Sequence, residues 1–264
     1  MERFLKRHPD DPTGVSTCPG VSKAAKTDPT ADLGGGGSIR RDGSHRPTWT
    51  TAHDSLLVRT DASCAPSASI AGFDLDETLQ RTKSGRPGYL VNDVGDFVFW
   101  NDAVKRRLRE VHEAGFKIVV FTNQGGVKGA LQGKRAAFVR KRVDAFVESV
   151  GVPMQVFAAT QKDAKDPKKY RKPGVGMWTR MIAEHNGGLA PDLGSCYYVG
   201  DAAGREKDFS DSDAAFARNV GIEFHVPEDF FVDAPQKRFD PKADGGVDGE
   251  VKEVVVIDDE DAAP

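Results

Sequence analysis

The sequence predicts an α/β fold: a Rossmann-like, mainly parallel sheet with helices on both faces and no large cap domain. Three observations carry that expectation. Short apolar runs of strand length recur at residues 70–73, 117–121, 154–159 and 196–199. Helical patterns lie between and after them. The polar clusters of the chain follow these runs directly. Alternating strands and helices imply crossover connections and parallel strands, and such sheets collect their ligands at the strands' carboxyl ends.

The elements follow in chain order. Residues 1–46 are rich in Gly, Pro, Ser, Thr and charge and include Gly34-Gly35-Gly36-Gly37. They cannot bury enough apolar surface to offset ordering, so a disordered segment is expected. The ordered part is expected to begin at Trp49, and residues 55–59 read as a short strand at the sheet edge. Ile70-Ala71-Gly72-Phe73 is brief, apolar and flanked by turn-formers, hence a buried strand. A turn-rich basic segment with Arg81, Lys83 and Arg86 comes next, then a strand-like Phe97-Val98-Phe99-Trp100. Asn101 is expected to cap a helix through Ala103, Val104, Leu108 and Val111, which Gly115 stops. The run at 117–121 is a second buried strand, and residues 136–150 carry Val139, Val143, Phe146, Val147 and Val150 at helical spacing. After the strand at 154–159 comes a basic loop with Lys162, Lys165, Lys168, Lys169, Arg171 and Lys172. A helix around 177–184, a strand at 196–199 and a helix within 209–220 complete a domain expected to span 47–235. Residues 236–264 read as an acidic disordered tail.

The net charge is −3, yet residues 240–264 hold nine acidic and two basic residues, or −7, which leaves +4 on the rest. A mildly basic folded part permits a nucleic-acid partner without demanding one. Cys18, Cys64 and Cys196 are scattered and odd in number, which fits neither a disulfide framework nor a zinc knuckle and points to a reducing compartment. The N-terminus lacks the apolar region of a secretory signal, and Glu2, Asp10 and Asp11 argue against a mitochondrial presequence. No stretch has the length and hydropathy of a membrane span, and a monomer is expected.

The chemistry centres on Asp74-Leu75-Asp76-Glu77-Thr78, directly after the first core strand. Residues two apart in extended chain point the same way, so Asp74 and Asp76 face one site with Leu75 turned inward. Two such carboxylates repel unless a cation or a shared proton relieves them, and Mg²⁺ is the hard ion that oxygen ligands suit. Thr122 and Asn123 follow the second core strand, Lys172 precedes a helix, and Asp201 follows the strand at 196–199. Singly these are a turn, a solvated charge and a helix cap; together, at successive strand ends, they make a site.

In this order they resemble the four motifs of the haloacid dehalogenase-like (HAD-like) phosphatase superfamily. Phe121-Thr122-Asn123-Gln124, Arg171-Lys172-Pro173, Gly176-Met177-Trp178 and Val199-Gly200-Asp201-Ala202-Ala203-Gly204-Arg205 look like the phosphatase domain of the polynucleotide kinase 3′-phosphatase family. Lys207-Asp208-Phe209-Ser210 followed by Asp213 also fits that family. The resemblance implies Asp74 as nucleophile, forming an aspartyl-phosphate, and Asp76 as general acid and then base. It implies Mg²⁺ on the Asp74 carboxylate, the Asp76 backbone carbonyl and Asp201. Thr122 and the Asn123 backbone amide would hold phosphoryl oxygens, and Lys172 would neutralise charge. Arg171 and Arg205 are expected beside them as substrate contacts. Glu77 stands where many members have Gly. The substrate implied is a DNA end bearing a 3′-phosphate, as in strand-break repair in the nucleus, with the mitochondrion as alternative.

No G-x-x-x-x-G-K-[ST] string occurs, because Lys128 occupies the position of the first Gly, so a 5′-kinase activity is not expected. The connections after Asp76 and Thr122 are too short for a cap domain, which suits a polymer terminus. Arg81, Lys83 and Arg86 on one side and residues 162–171 on another would contact the backbone. Trp178, Tyr170 and Phe97 either stack on bases or pack in the core. Val254-Val255-Val256-Ile257 followed by Asp258-Asp259-Glu260-Asp261 resembles a SUMO-interacting motif, or is a solvating tail. A phosphatase of small esters or phosphoproteins, and a scaffold acting through its tails, are the competing readings.

Overall fold

The computed structural model describes residues 47–127, 132–160 and 169–232. The segments at 1–46 and 236–264, with the SUMO-like run at 254–261, lie outside the described residues. In chain order the elements are β1 (Thr48–Ala52), β2 (Leu56–Thr60), β3 (Ile70–Phe73), β4 (Gln80–Thr82), β5 (Phe97–Phe99), α1 (Ala103–Glu113), β6 (Lys117–Asn123), α2 (Lys134–Val150), β7 (Gln155–Ala159), α3 (Gly176–His185), β8 (Tyr197–Val199), α4 (Ser212–Val220), β9 (Glu223–His225) and α5 (Pro227–Phe230).

Seven strands form one sheet in the order β1-β2-β7-β6-β3-β8-β9, and β4 pairs with β5 as a separate hairpin. β7, β6, β3, β8 and β9 run parallel, while β1 and β2 add an antiparallel edge. The central strands are apolar because both sheet faces are covered. Side chains alternate between two cores: Ala71, Phe73, Ile118 and Val120 pack with α1 and α2, whereas Ile70, Val119 and Phe121 pack with α3 and α4. Among the described residues no cap domain is inserted, and no helix is long and apolar enough to cross a membrane.

Several expectations are corrected. The strand near 55–59 is interior, since β1 pairs outside it through a tight turn at His53 and Asp54, both at positive φ. β8 is followed by a further strand, β9, which three residues with one large apolar side chain do not announce. The basic segment after Asp76 contains β4, held by its register with β5. The helix expected within 209–220 occupies Ser212–Val220, and Phe209 ahead of it is 84% exposed. Asn101 does cap α1, accepting from the Ala103 amide at 3.0 Å and donating to the Phe231 carbonyl at 2.7 Å.

Candidate active site

β3 carries Asp74 to the middle of the sheet's carboxyl edge, where its amide donates to the Val199 carbonyl at 2.9 Å and continues the β3–β8 ladder. β8 delivers Asp201 two residues past its end, and the Thr78 hydroxyl donates to Asp201 Oδ1 at 3.3 Å. α4 contributes Asp213 from its first turn. Asp74, Asp201 and Asp213 each present an oxygen, all within 4.8 Å of one another. Gly200 makes this approach possible, because a Cβ there would collide with the Asp213 carboxylate.

Lys172 is the cation among these acids. It is 5% exposed, and its Nζ lies 2.6 Å from Asp74 Oδ1, 2.7 Å from Asp213 Oδ1 and 2.7 Å from the Tyr198 hydroxyl. Two of its ammonium protons are hydrogen-bonded, to Asp74 and to Tyr198, while Asp213 is paired with its charge. Tyr198 passes its own proton to the Phe121 carbonyl at 2.9 Å. Asn123 fixes the backbone behind the lysine: its Oδ1 accepts from the Lys172 amide at 3.0 Å, and its Nδ2 donates to the Lys172 carbonyl at 3.2 Å. Burial works against the Lys172 charge, but Asp213 and Asp74 outweigh it and hold its pKa above the ordinary lysine value.

One lysine does not balance three carboxylates. Burial first, then Asp213 and Asp201 against the pull of Lys172, push Asp74 up to about 8. Burial and Asp213 push Asp201 up to about 7. An all-oxygen set with unrelieved negative charge fits a hard divalent cation.

Asp76 faces a different set of partners. Gln124 Nε2 donates to its Oδ2 at 2.7 Å and also to Thr122 Oγ1 at 3.0 Å, and Arg142 pairs with its Oδ1 at 2.7 Å. Burial opposes ionisation, yet the Arg142 charge, its hydrogen bond and that of Gln124 hold Asp76 below the usual carboxylate range. Thr122 is buried in the same chain of contacts. Glu77 is exposed and sits at φ +58, a left-handed conformation that Gly adopts at no steric cost.

The remaining expected residues divide. Arg81, Lys83 and Arg86 are exposed along the β4–β5 hairpin and the turn after β4, where Lys83 Nζ donates to the Gly95 carbonyl at 2.8 Å and Arg86 to the Leu90 carbonyl at 3.4 Å. Arg171 is half-buried beside Lys172, its Nη1 without a hydrogen-bond partner among the described residues, and burial lowers its pKa. Arg205 braces the loop after Asp201, bonding Asp208, Glu228 and the Asp201 carbonyl. Lys162, Lys165 and Lys168 lie outside the described residues. Trp178, Tyr170 and Phe97 are core residues, 5%, 3% and 9% exposed. Among the described residues the Phe, Tyr and Trp side chains that are exposed are Tyr89 and Phe209, one past the hairpin's basic turn and one in the loop after Asp201.

Sequence reasoning gave no role to Asp213, Tyr198, Gln124 or Arg142. Gln124 and Asp213 stood within the family-like strings without a role, and Arg142 left a trace of its own: a charge sits on the apolar stripe of α2 between Val139 and Val143.

The sheet order and the carboxylate–lysine cluster at its edge define an α/β domain with its candidate site at the carboxyl ends of the parallel strands. A solved structure from Mesorhizobium loti, described as a putative HAD-like phosphatase, shares the fold with a TM-score of 0.50 at 22% identity, covering 65% of this chain and 78% of that one. The family model described as Polynucleotide kinase 3 phosphatase matches residues 69–231, and the chain belongs to that family. It is 35% identical over 200 residues to the polynucleotide 3′-phosphatase ZDP of Arabidopsis thaliana, covering 73% of this chain and 28% of that protein. It is 35% identical over 179 residues to the bifunctional polynucleotide phosphatase/kinase of Schizosaccharomyces pombe, covering 68% of this chain and 41% of that protein. The chain thus matches less than half the length of each of these two relatives.

Proposed function

We propose that this chain is a Mg²⁺-dependent polynucleotide 3′-phosphatase, without 5′-kinase activity, that clears 3′-phosphates from DNA strand ends for repair, with residues 47–235 as its phosphatase domain. The observation that carries the reading is the buried cluster of Lys172 with Asp74, Asp201 and Asp213 at the edge of the parallel strands.

Asp74, Asp201 and the Asp76 carbonyl would hold the ion, with Asp213 close enough to join or to orient the others. Mg²⁺ bound there offsets the repulsion between an anionic nucleophile and an anionic ester. Asp74 attacks phosphorus in line, the phosphorus–sugar oxygen bond breaks, and the leaving oxygen takes a proton from Asp76. Water then attacks the aspartyl-phosphate, Asp76 takes the water's proton, and inorganic phosphate leaves with Asp74 restored. Lys172 neutralises charge on Asp74 and the transferring group, while Thr122 and the Asn123 amide hold phosphoryl oxygens. Arg142 and Gln124 favour the charged carboxylate, so to act as acid Asp76 must take up a proton, leave them and turn toward the substrate.

Three features support a polymer substrate. The site carries no cap domain among the described residues, a hairpin bearing Arg81, Lys83 and Arg86 borders it, and Tyr89 and Phe209, in the connections that follow β4 and Asp201, are 67% and 84% exposed. Base stacking on such rings is worth about 1–3 kcal/mol per base and tolerates any sequence. Arg81, Lys83, Arg86 and Arg171 would contact backbone phosphates. A role at DNA ends suits the nucleus, with the mitochondrion as alternative, and the chain is read as a monomer; the 254–261 run would bind SUMO, and its deletion should abolish SUMO pull-down while leaving turnover intact.

Phosphate release from a 3′-phosphorylated oligonucleotide against a free phosphosugar, with Mg²⁺ or EDTA, tests the reading. Mg²⁺-dependent release from the oligonucleotide, lost in Asp74→Asn, is expected. Turnover of the phosphosugar alone would assign a small-ester phosphatase instead, and no turnover of either would leave a scaffold.

A further inference from the structure

Arg142 is the largest fully buried side chain of the described residues, 1% exposed, on the apolar stripe of α2. A buried arginine paired with a half-exposed carboxylate is a poor device for stability, since a hydrophobic side chain of similar volume would serve as well or better. Its surroundings suggest another use. Nη2 pairs with Asp76 Oδ1 at 2.7 Å, and Nε donates to Gln80 Oε1 at 2.9 Å. The guanidinium lies over the Phe97 ring, 3.7 Å from its centroid. Gln80 belongs to β4 and Phe97 to β5, so one side chain touches both strands of the basic hairpin and the carboxylate beneath it.

The same carboxylate is confined from above. A Cβ at Gly88 would come within 2.8 Å of Asp76 Oδ1, and Arg135, also of α2, donates to the Gly88 carbonyl at 3.0 Å. Asp76 Oδ2 is meanwhile taken by Gln124. Both oxygens are thus held in one place by α2, the residue that follows β6 and the connection between β4 and β5.

We propose that Arg142 is a positioning residue for Asp76, coupling the hairpin that receives the nucleic-acid strand to the group that moves the proton. The inference rests on the reading of Asp76 as general acid. A strand seated on Arg81, Lys83 and Arg86 bears on the β4–β5 hairpin, hence on Gln80 and Phe97, and through them on the Arg142–Asp76 contact. Without Arg142 the carboxyl has no fixed starting point for its turn toward the leaving oxygen.

The test uses leaving groups that differ in their need for a proton. kcat/KM reports the steps through aspartyl-phosphate formation, so it isolates the expulsion that the acid assists. p-Nitrophenolate departs unaided, whereas phenolate and a sugar alkoxide increasingly need protonation. Arg142→Met should lower kcat/KM on the 3′-phosphorylated oligonucleotide by about a hundredfold, the usual worth of a positioned acid, and on p-nitrophenyl phosphate by only a few-fold. Gly88→Ala is the second variant. It removes no charge and sits in a surface turn, and the atom it displaces is the tip of Asp76, so it should show the same dependence even if Arg142→Met fails to fold. Asp76→Asn is the control. If its losses grow with leaving-group basicity but those of Gly88→Ala and folded Arg142→Met are uniform or absent, the positioning role is wrong. If Asp76→Asn itself shows uniform losses, the acid assignment fails and the coupling with it.

Discussion

Lys172→Met removes the one ammonium from the midst of Asp74 and Asp213 while keeping its length. At 2.6 and 2.7 Å each ion pair has a gross Coulomb attraction of about 6 kcal/mol at an effective dielectric constant near 20. The net cost of orphaning buried carboxylates is smaller, about 3–5 kcal/mol. The deficit should depend on pH. Stranded carboxylates bind protons more tightly in the folded than in the unfolded state, so their contribution is retained at low pH and lost as pH rises. Urea unfolding in EDTA should therefore show a gap between variant and parent that is small at pH 5, opens as pH rises and is still widening at pH 8, where Asp74 of the parent, at about 8, is only partly ionised; Mg²⁺ should narrow it. Turnover should still fall at least a hundredfold with Mg²⁺ present, because the ion does not replace a donor aimed at the transferring group. A variant within about 0.5 kcal/mol of the parent at pH 8 in EDTA would refute the cluster's energetics; that margin is an ordinary surface-substitution effect.

Other expectations follow from the same geometry. Cation binding requires ionised carboxylates, and Asp74 and Asp201 are pushed to about 8 and 7. Mg²⁺ affinity by calorimetry should accordingly tighten from pH 6 to 8, with proton release, and level off above; a flat profile would show that these acids are not the ligands. Asn123→Leu breaks both bonds to the Lys172 backbone, and should lower kcat about tenfold or more with the fold intact by circular dichroism, each lost bond being worth about 1 kcal/mol. Tyr89→Ala and Phe209→Ala should raise KM for oligonucleotides several-fold while leaving p-nitrophenyl phosphate untouched. Equal effects on both substrates would remove the stacking assignment.

The central strands were legible because burial on both faces demands unbroken apolar runs, as in Ile70–Phe73 and the first residues of Lys117–Asn123. Their carboxyl ends were legible with them, which is why Asp74, Thr122 and Asp201 could be placed. The edge strands were not: β1 and β9 need apolar groups on one side only and are short enough to pass for loop. Partners across the chain were hidden for another reason. Tyr198 lies in a buried strand, and nothing local shows that its hydroxyl bridges Lys172 and the Phe121 carbonyl. Asp213 lies in a helix turn 41 residues beyond Lys172 in the chain. The aromatics misled by composition: Trp178 lies on the buried face of α3 and Phe97 covers Arg142, whereas Tyr89 and Phe209 lie outside every strand and α-helix.

Covalent transfer of phosphate to Asp74 is most directly tested by acid-quenching a reaction on an oligonucleotide with a radiolabelled 3′-phosphate and mapping the labelled peptide. Transient label on the peptide containing Asp74, absent from Asp74→Asn and from reactions with EDTA, is the predicted result. Phosphate release at the parental rate by Asp74→Asn would contradict the account at its root.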